Sequence, residues 1–294
     1  MPITGKTTVV GVFGDPIAHS LSPAMHNRAF AALDLDFVYV PFHVKPEALG
    51  EAVAGVRAMS LAGVNVTVPH KVRVMRHLDE IDPEAAMVGA VNTIVNRSGR
   101  LVGYNTDGRG FLLSLERQAG RGARGSRFVV IGAGGAAQAI ACSLARAGAA
   151  AVTVANRTLE KARALAELIA GHTNARAVTL SAADEALMRA LGEADIVVQA
   201  TSVGMHPHED APLPVPVEAV REGALVCDIV YNPRETRLIR AARARGLDVL
   251  TGEGMLVYQG AIAFELWTGR PAPDGLMLET LTALLEAKGR QRAP

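Results

Sequence analysis

Several side chains in this sequence interrupt apolar patterns, and each is of a type that can bind a small polar molecule or move a proton on it. Lys71 closes the run Val64-Asn65-Val66-Thr67-Val68-Pro69-His70-Lys71, a buried strand emptying into a loop. Asp107 lies in Gly103-Tyr104-Asn105-Thr106-Asp107-Gly108, where a strand ends and a helix opens. A lysine amine can release a proton when its surroundings shift its pKa, whereas a guanidinium effectively cannot. Of the 30 basic residues only five are lysines, namely Lys6, Lys45, Lys71, Lys161 and Lys288. Keeping lysine at position 71 in so arginine-rich a chain fits proton transfer at a carbinol oxygen. Asp107 would hold the ammonium and bond a neighbouring hydroxyl. Its charge favours the protonated lysine, so either group is a candidate to take the proton. Asp107 also fits the plain role of helix N-cap.

Three further segments carry polar groups. In His19-Ser20-Leu21-Ser22-Pro23, Ser22 before Pro23 fits an N-cap with proline at the first helical position. Capping does not account for Ser20, and two hydroxyls beside a helix N-terminus also make a carboxylate cradle. Ala90-Val91-Asn92-Thr93 places an amide just before a strand. His206-Pro207-His208-Glu209-Asp210 lacks the spacing of a metal site and reads as a surface loop, so no metal is expected.

A second kind of signal lies in Val129-Val130-Ile131-Gly132-Ala133-Gly134-Gly135-Ala136-Ala137, a strand running into G-x-G-x-x-A at a helix start. Gly132 allows the tight turn and Gly134 lets the backbone approach a pyrophosphate. Ala137 lets helix and strand pack closely, while the helix N-terminus faces the anion. An NAD site usually carries an acid about 20 residues further on, to bond the ribose 2′-hydroxyl. Here the next strand ends Val154-Ala155-Asn156-Arg157-Thr158, with no acid. Asn156 can bond ribose, Arg157 can fork onto a 2′-phosphate, and Lys161 can add charge. Arg157 as a solvated loop arginine and Thr158 as an N-cap are the structural alternatives. The missing acid favours NADP.

The elements that must position these groups alternate along the chain. Strands are expected at Val9–Phe13, Phe37–Val44 and Gly63–Val68, with helices at Pro23–Leu33 and Pro46–Met59. Thr93–Asn96 and Leu101–Tyr104 flank Arg97-Ser98-Gly99-Arg100, a hairpin signature. After a Gly/Arg-rich turn at 120–125, strands at Phe128–Ile131, Val152–Ala155, Ile196–Gln199, Leu225–Val230 and Asp248–Leu250 alternate with helices at Gly135–Ala147, Leu159–Ala170 and Thr236–Arg245. This is an α/β chain of two lobes: an N-terminal lobe with a mostly parallel sheet and one antiparallel excursion, then a Rossmann-like succession. The helical segments Met255–Thr268 and Leu276–Ala287 have no strands left to serve in the second lobe, and are expected to fold back on the first.

Composition narrows the field. Among 294 residues, 49% are hydrophobic and 20% charged, ordinary for a globular protein of one or two domains. A net charge of +1 offers no concentrated basic field for nucleic acid or an anionic membrane. The N-terminal apolar stretch is too short for a signal peptide or a membrane span. Cys142 and Cys227 lie in apolar segments and read as free thiols in a reducing cytoplasm.

Taken in order, S-x-S-P, N-V-T-x-P-x-K, A-x-N-T, N-T-D-G, G-A-G-G-A-A, N-R-T, A-T-S-x-G-M, Y-N-P and G-M-L-x-x-Q run from Ser20 to Gln259. Together they resemble the shikimate dehydrogenase family across nearly the whole chain, with no departure at these positions. The resemblance implies reversible reduction of 3-dehydroshikimate by NADPH, a step of aromatic amino-acid biosynthesis. It implies that Ser20, Ser22, Thr67, Lys71, Asn92, Asp107, Tyr231 and Gln259 hold substrate, with Lys71 and Asp107 as the catalytic pair. It also implies cofactor contacts at Gly132, Ala133, Gly134, Gly135, Ala136, Asn156, Arg157, Thr158, Lys161, Thr201, Ile229, Gly252 and Met255. The implied substrate domain is 1–106 plus 253–294 and the NADP domain 107–252, acting on a small molecule as a monomer or homodimer. Among rivals, an NAD-linked quinate/shikimate dehydrogenase would carry an acid near Asn156. A catalytically silent NADP sensor would have lost Lys71 or Asp107. A folate-linked methylene dehydrogenase would not need the serine pair or Gln259.

Overall fold

β-Branched runs alternating with helices build two separate six-stranded sheets, one in each of two units. The computed structural model describes residues 2–181 and 183–292. One unit comprises residues 2–106 with Val257–Ala287, and the other Asp107–Leu256 with residues 288–292.

The first unit runs β1 (Thr8–Gly14), α1 (Ser22–Ala32), β2 (Phe37–His43), α2 (Leu49–Ala58), β3 (Gly63–Val66), β4 (Glu80–Ile81), α3 (Pro83–Val88), β5 (Thr93–Arg97) and β6 (Arg100–Tyr104). Its sheet order is β2-β1-β3-β5-β6-β4. β1 pairs in parallel with β2 and β3, and β6 with β4, while β5 is antiparallel to both its neighbours. β5 returns into β6 through a two-residue turn, where Ser98 (φ 52°) and Gly99 (φ 92°) both take positive φ, as such a hairpin requires. All four residues of β3 are buried, so its pattern is continuously apolar except at Asn65.

The second unit runs α4 (Asp107–Ala119), β7 (Arg127–Ile131), α5 (Gly135–Arg146), β8 (Ala151–Asn156), α6 (Leu159–Ile169), β9 (Asn174–Thr179), α7 (Glu185–Glu193), β10 (Ile196–Gln199), β11 (Leu225–Asp228), α8 (Arg237–Ala244) and β12 (Asp248–Leu250). All its strands are parallel, in the order β12-β11-β10-β7-β8-β9. Read outward from β7, this is the doubly wound order that reverses between the first and fourth strands. Two strands, and the helices α3 and α7, have no counterpart among the expected elements. β9 is an outer strand whose Asn174 and Arg176 are exposed, so it carries little hydrophobic signal, and β4 is only two residues long. β11 stops two residues short of the expected Leu225–Val230, because the Asp228 carboxyl accepts the Val230 N–H at 3.0 Å and turns the chain.

α9 (Glu253–Thr268) and α10 (Asp274–Arg292) follow. Residues 257–268 of α9 pack within the first unit, where Trp267 Nε1 donates to the Ile94 carbonyl at 3.0 Å. Phe264 stacks on Phe30 of α1 at 4.9 Å. Gly63 makes the indole's place: a Cβ there would collide with both Trp267 and the Ile94 carbonyl. Among the described residues, no helix is long and apolar enough to cross a membrane.

Gly63→Ala should therefore destabilise the protein by about 1–3 kcal/mol, the usual cost of forcing a methyl into a packed core. Trp267 is the sole tryptophan, so its emission reports the site directly. We expect a lower Tm together with red-shifted emission in the folded variant; an unshifted spectrum and Tm would refute this packing role.

Candidate active site

The strand reversal in the first unit decides what meets at one edge of its sheet. Parallel strands β1 and β3 point their carboxyl ends to that edge, delivering Ser20 and Ser22 after β1, and Thr67 and Lys71 after β3. Because β5 runs the other way, its first residues arrive at the same edge, with Thr93 in register with Asn65. Asn92 immediately precedes it. The Lys71 carbonyl accepts the Val91 N–H at 2.8 Å, tying the lysine's loop to the Asn92 segment. Ser20, Ser22, Thr67, Lys71 and Gln259 are half-buried, whereas Asn92 is buried.

Beneath this edge lies a directional chain of hydrogen bonds. The Ser22 hydroxyl bonds the Tyr39 phenol. Tyr39 donates to Asn65 Oδ1 at 2.7 Å, and Asn65 Nδ2 to Thr93 Oγ1 at 3.0 Å. Thr93 donates to Asn92 Oδ1 at 3.0 Å. Asn92 Nδ2 donates to Thr106 Oγ1 at 3.0 Å and to Gln259 Oε1 at 3.4 Å. Such runs satisfy buried polar groups that would otherwise be costly, and neighbouring bonds strengthen one another. Burial holds the Tyr39 phenol well above its usual pKa, so it stays a donor. His26 stacks flat on Tyr39 at 4.4 Å, and burial pushes its imidazole down to about 3. Sequence reading assigned no role to Tyr39, Asn65 or Thr106; the available signal was an amide inside the otherwise apolar β3.

Ser22 is not the helix cap its sequence suggested. Leu21 takes the cap position, no side chain caps α1, and Ser22 is the first helical residue, its N–H donating to Ser20 Oγ at 3.4 Å. With Pro23 already lacking an N–H, the need for a capping oxygen is small, and the Ser22 hydroxyl turns to Tyr39 instead.

In the second unit, the turn after β7 has Gly132 at φ 112°, where a Cβ would press on Thr201 and the Ala200 carbonyl at the end of β10. This brings Thr201 to the point where strand order reverses. Gly134 caps α5 without any side-chain bond, and a Cβ on Gly134 or Gly135 would meet open space. The α5 N-terminus thus presents its amides and positive dipole end uncovered by side chains. Asn156 ends β8 and donates to the Thr158 carbonyl at 2.9 Å. Thr158 occupies the cap position of α6 but its hydroxyl makes no cap bond, and Arg157 and Lys161 are exposed. Asp107, buried, is the first residue of α4, and Gly108 allows α4 to pack closely on Ala139 and Ser143 of α5. Lys71 and Asp107 belong to different units.

Ile229 and Tyr231 follow β11, and Gly252 and Met255 follow β12; the two segments meet where a Cβ on Gly252 would strike the Ile229 and Val230 backbone. The first segment is anchored by Asp228, which accepts from Val230 N at 3.0 Å and Thr236 Oγ1 at 2.7 Å. Thr236 in turn caps α8. Burial raises the Asp228 carboxyl to about 6 against the lowering effect of those two bonds. Its signal in the sequence is an acid ending an apolar run.

The all-parallel sheet, its strand order and the uncovered glycine turn define a Rossmann-type unit joined to a second α/β unit. Three family models match the chain: Shikimate dehydrogenase substrate binding domain over residues 12–94, Shikimate / quinate 5-dehydrogenase over 114–237, and Shikimate 5'-dehydrogenase C-terminal domain over 252–282. A shikimate dehydrogenase (NADP(+)) of Desulforamulus reducens is 49% identical over 279 residues, covering 95% of this chain and 96% of that one. A crystal structure of a shikimate dehydrogenase in complex with NADP+ superposes with a TM-score of 0.90 at 41% identity, over 97% and 98% of the two chains. A 5-ketofructose reductase of Gluconobacter sp. strain CHM43 superposes at 0.85 with 38% identity, over 96% and 100%. The chain belongs to the shikimate dehydrogenase family.

The raised Asp228 carboxyl has a consequence for stability. Its folded pKa, about 6, lies above the ordinary 3.8. Its contribution is therefore fully present below the ordinary value and is lost as pH rises through about 6. Asp228→Asn removes that titration, so its Tm relative to wild type should climb between pH 4 and pH 7. A pH-independent Tm difference would contradict the assignment.

Proposed function

We propose that the chain interconverts 3-dehydroshikimate and shikimate with NADP(H). The observation that carries this reading is the sheet edge of the first unit, which gathers hydroxyls, amides and a lysine in a chain that also holds a Rossmann unit with no acid ending β8. A carboxylate flanked by ring hydroxyls needs such a donor set. Ser20 and Ser22 hold the carboxylate; Thr67, Asn92, Tyr231 and Gln259 bond the hydroxyls. The second unit fits the cofactor: the open positions at Gly134 and Gly135 leave room for a pyrophosphate at the α5 N-terminus, with Ala133 and Ala136 beside them. Asn156, Arg157, Thr158 and Lys161 take the adenosine 2′-phosphate end, and Thr201, Ile229, Gly252 and Met255 the nicotinamide end.

When bound, NADPH supplies the hydride. Lys71 and Asp107 act as a pair at the reacting oxygen, one moving its proton while the other orients the first and bonds a neighbouring hydroxyl. We place the enzyme in the cytoplasm, consistent with two buried free thiols, as a monomer or homodimer.

An initial-rate panel of shikimate and quinate, each with NADP and NAD, tests the reading. Shikimate with NADP should give the highest kcat/KM; quinate with NAD leading the panel would reject it. Lys71→Ala should lower kcat by about 10²–10⁴-fold. Lys71→Arg should not restore it, because arginine keeps the charge but cannot release the proton. A Lys71→Arg enzyme at the wild-type rate would leave Lys71 only a positive anchor.

A further inference from the structure

Glu253 and Asp228 are the two acids of the second unit that, among the described residues, are buried and that the reaction does not use. Glu253 is 2% exposed, its Oε1 accepts Arg234 Nε at 2.8 Å, and its Oε2 is buried with no hydrogen-bond partner. The two residues lie on different segments. Arg234 follows Tyr231-Asn232-Pro233, while Glu253 follows Gly252 at the start of α9. The ion pair therefore links the segment carrying Ile229 and Tyr231 to the segment carrying Gly252 and Met255.

Stability alone does not account for the pair. Burying a carboxyl is costly, and a well-packed apolar pair often does as well or better. The Arg234 side chain is 44% exposed, so solvent screens what the pair returns. An acid kept here with one oxygen unsatisfied points to a demand on position. Asp228 ties both ends of the 229–236 segment, through Val230 and Thr236, and the Arg234–Glu253 pair secures the stretch between them.

We propose that Arg234 and Glu253 are positioning residues, a clasp that sets Ile229 and Tyr231 against Gly252 and Met255 for hydride transfer. This rests on the proposed function for its kinetic readout, so the test carries a second readout that does not. Arg234→Ala, Glu253→Ala and Glu253→Gln are compared with wild type. Steady-state kinetics with shikimate and NADP give the first measurement, and amide hydrogen exchange over 229–236 and 253–256 gives the second.

Both alanine variants should lose on the order of tenfold to hundredfold in kcat/KM for shikimate, the scale of a small misplacement of reacting groups. Exchange in both segments should accelerate. NADP affinity by calorimetry should fall far less than kcat/KM, since the pyrophosphate and 2′-phosphate contacts at the glycine turn and the β8 end lie elsewhere. Glu253→Gln should recover most of the rate, because its amide oxygen still accepts from Arg234. Alanine variants that lose only Tm, with kcat/KM near wild type or exchange unchanged, would overturn the clasp. So would Glu253→Gln behaving like Glu253→Ala, which would assign the effect to charge. If wild type turned over no shikimate, the functional reading would fall, and the exchange comparison would still decide the clasp.

Discussion

One reversed strand sets the chemistry of the first unit. In a purely parallel sheet, Asn92 and Thr93 would begin a strand at the edge opposite the ends of β1 and β3. Because β5 runs antiparallel, they arrive beside Asn65 and Thr67. Asn92 then has to satisfy a buried amide at a crossing of three segments. It does so by accepting from Thr93 and the Thr106 N–H and donating to Thr106 and Gln259. Leaving such a group unpaired costs about 1–3 kcal/mol, so each partner holds the others in place. The hairpin turn at Ser98-Gly99, the glycine at 63 and the α9 contact at Trp267 serve that arrangement.

The second unit solves a different problem with the same economy. A diphosphate needs amides and a positive field with nothing in front of them, and Gly134 and Gly135 leave that space. Gly132 pays with a positive φ for bringing the turn under Thr201. Beyond β11, two donated hydrogen bonds offset part of the cost of burying the Asp228 carboxyl, and they fix the segment that carries Ile229 and Tyr231.

Much of this was legible in the residues. The buried parallel strands announce themselves as β-branched runs, the hairpin by Ser98-Gly99, and the Rossmann turn by its glycines. The ordered motifs pointed to the family that the relatives at 49% identity define. Lys71 and Asp107 stood out by type and by position at element ends. The unseen parts share a cause: they depend on partners distant in sequence or on weak patterns. Tyr39 meets Asn65 across 26 residues and Arg234 meets Glu253 across 19, and neither pairing has a local signature. β9 is an outer strand with polar alternate residues, and Ser22 lost its capping role to a contact with Tyr39.

We propose that the edge organised by Asn92 binds shikimate and takes no part in holding NADP. Calorimetric titration of folded Asn92→Ala with shikimate, and separately with NADP, tests it most directly. Shikimate affinity should fall about tenfold or more, the worth of one or two hydrogen bonds, while NADP affinity stays at the wild-type value. Unchanged shikimate affinity, or equal losses for both ligands, would contradict the account.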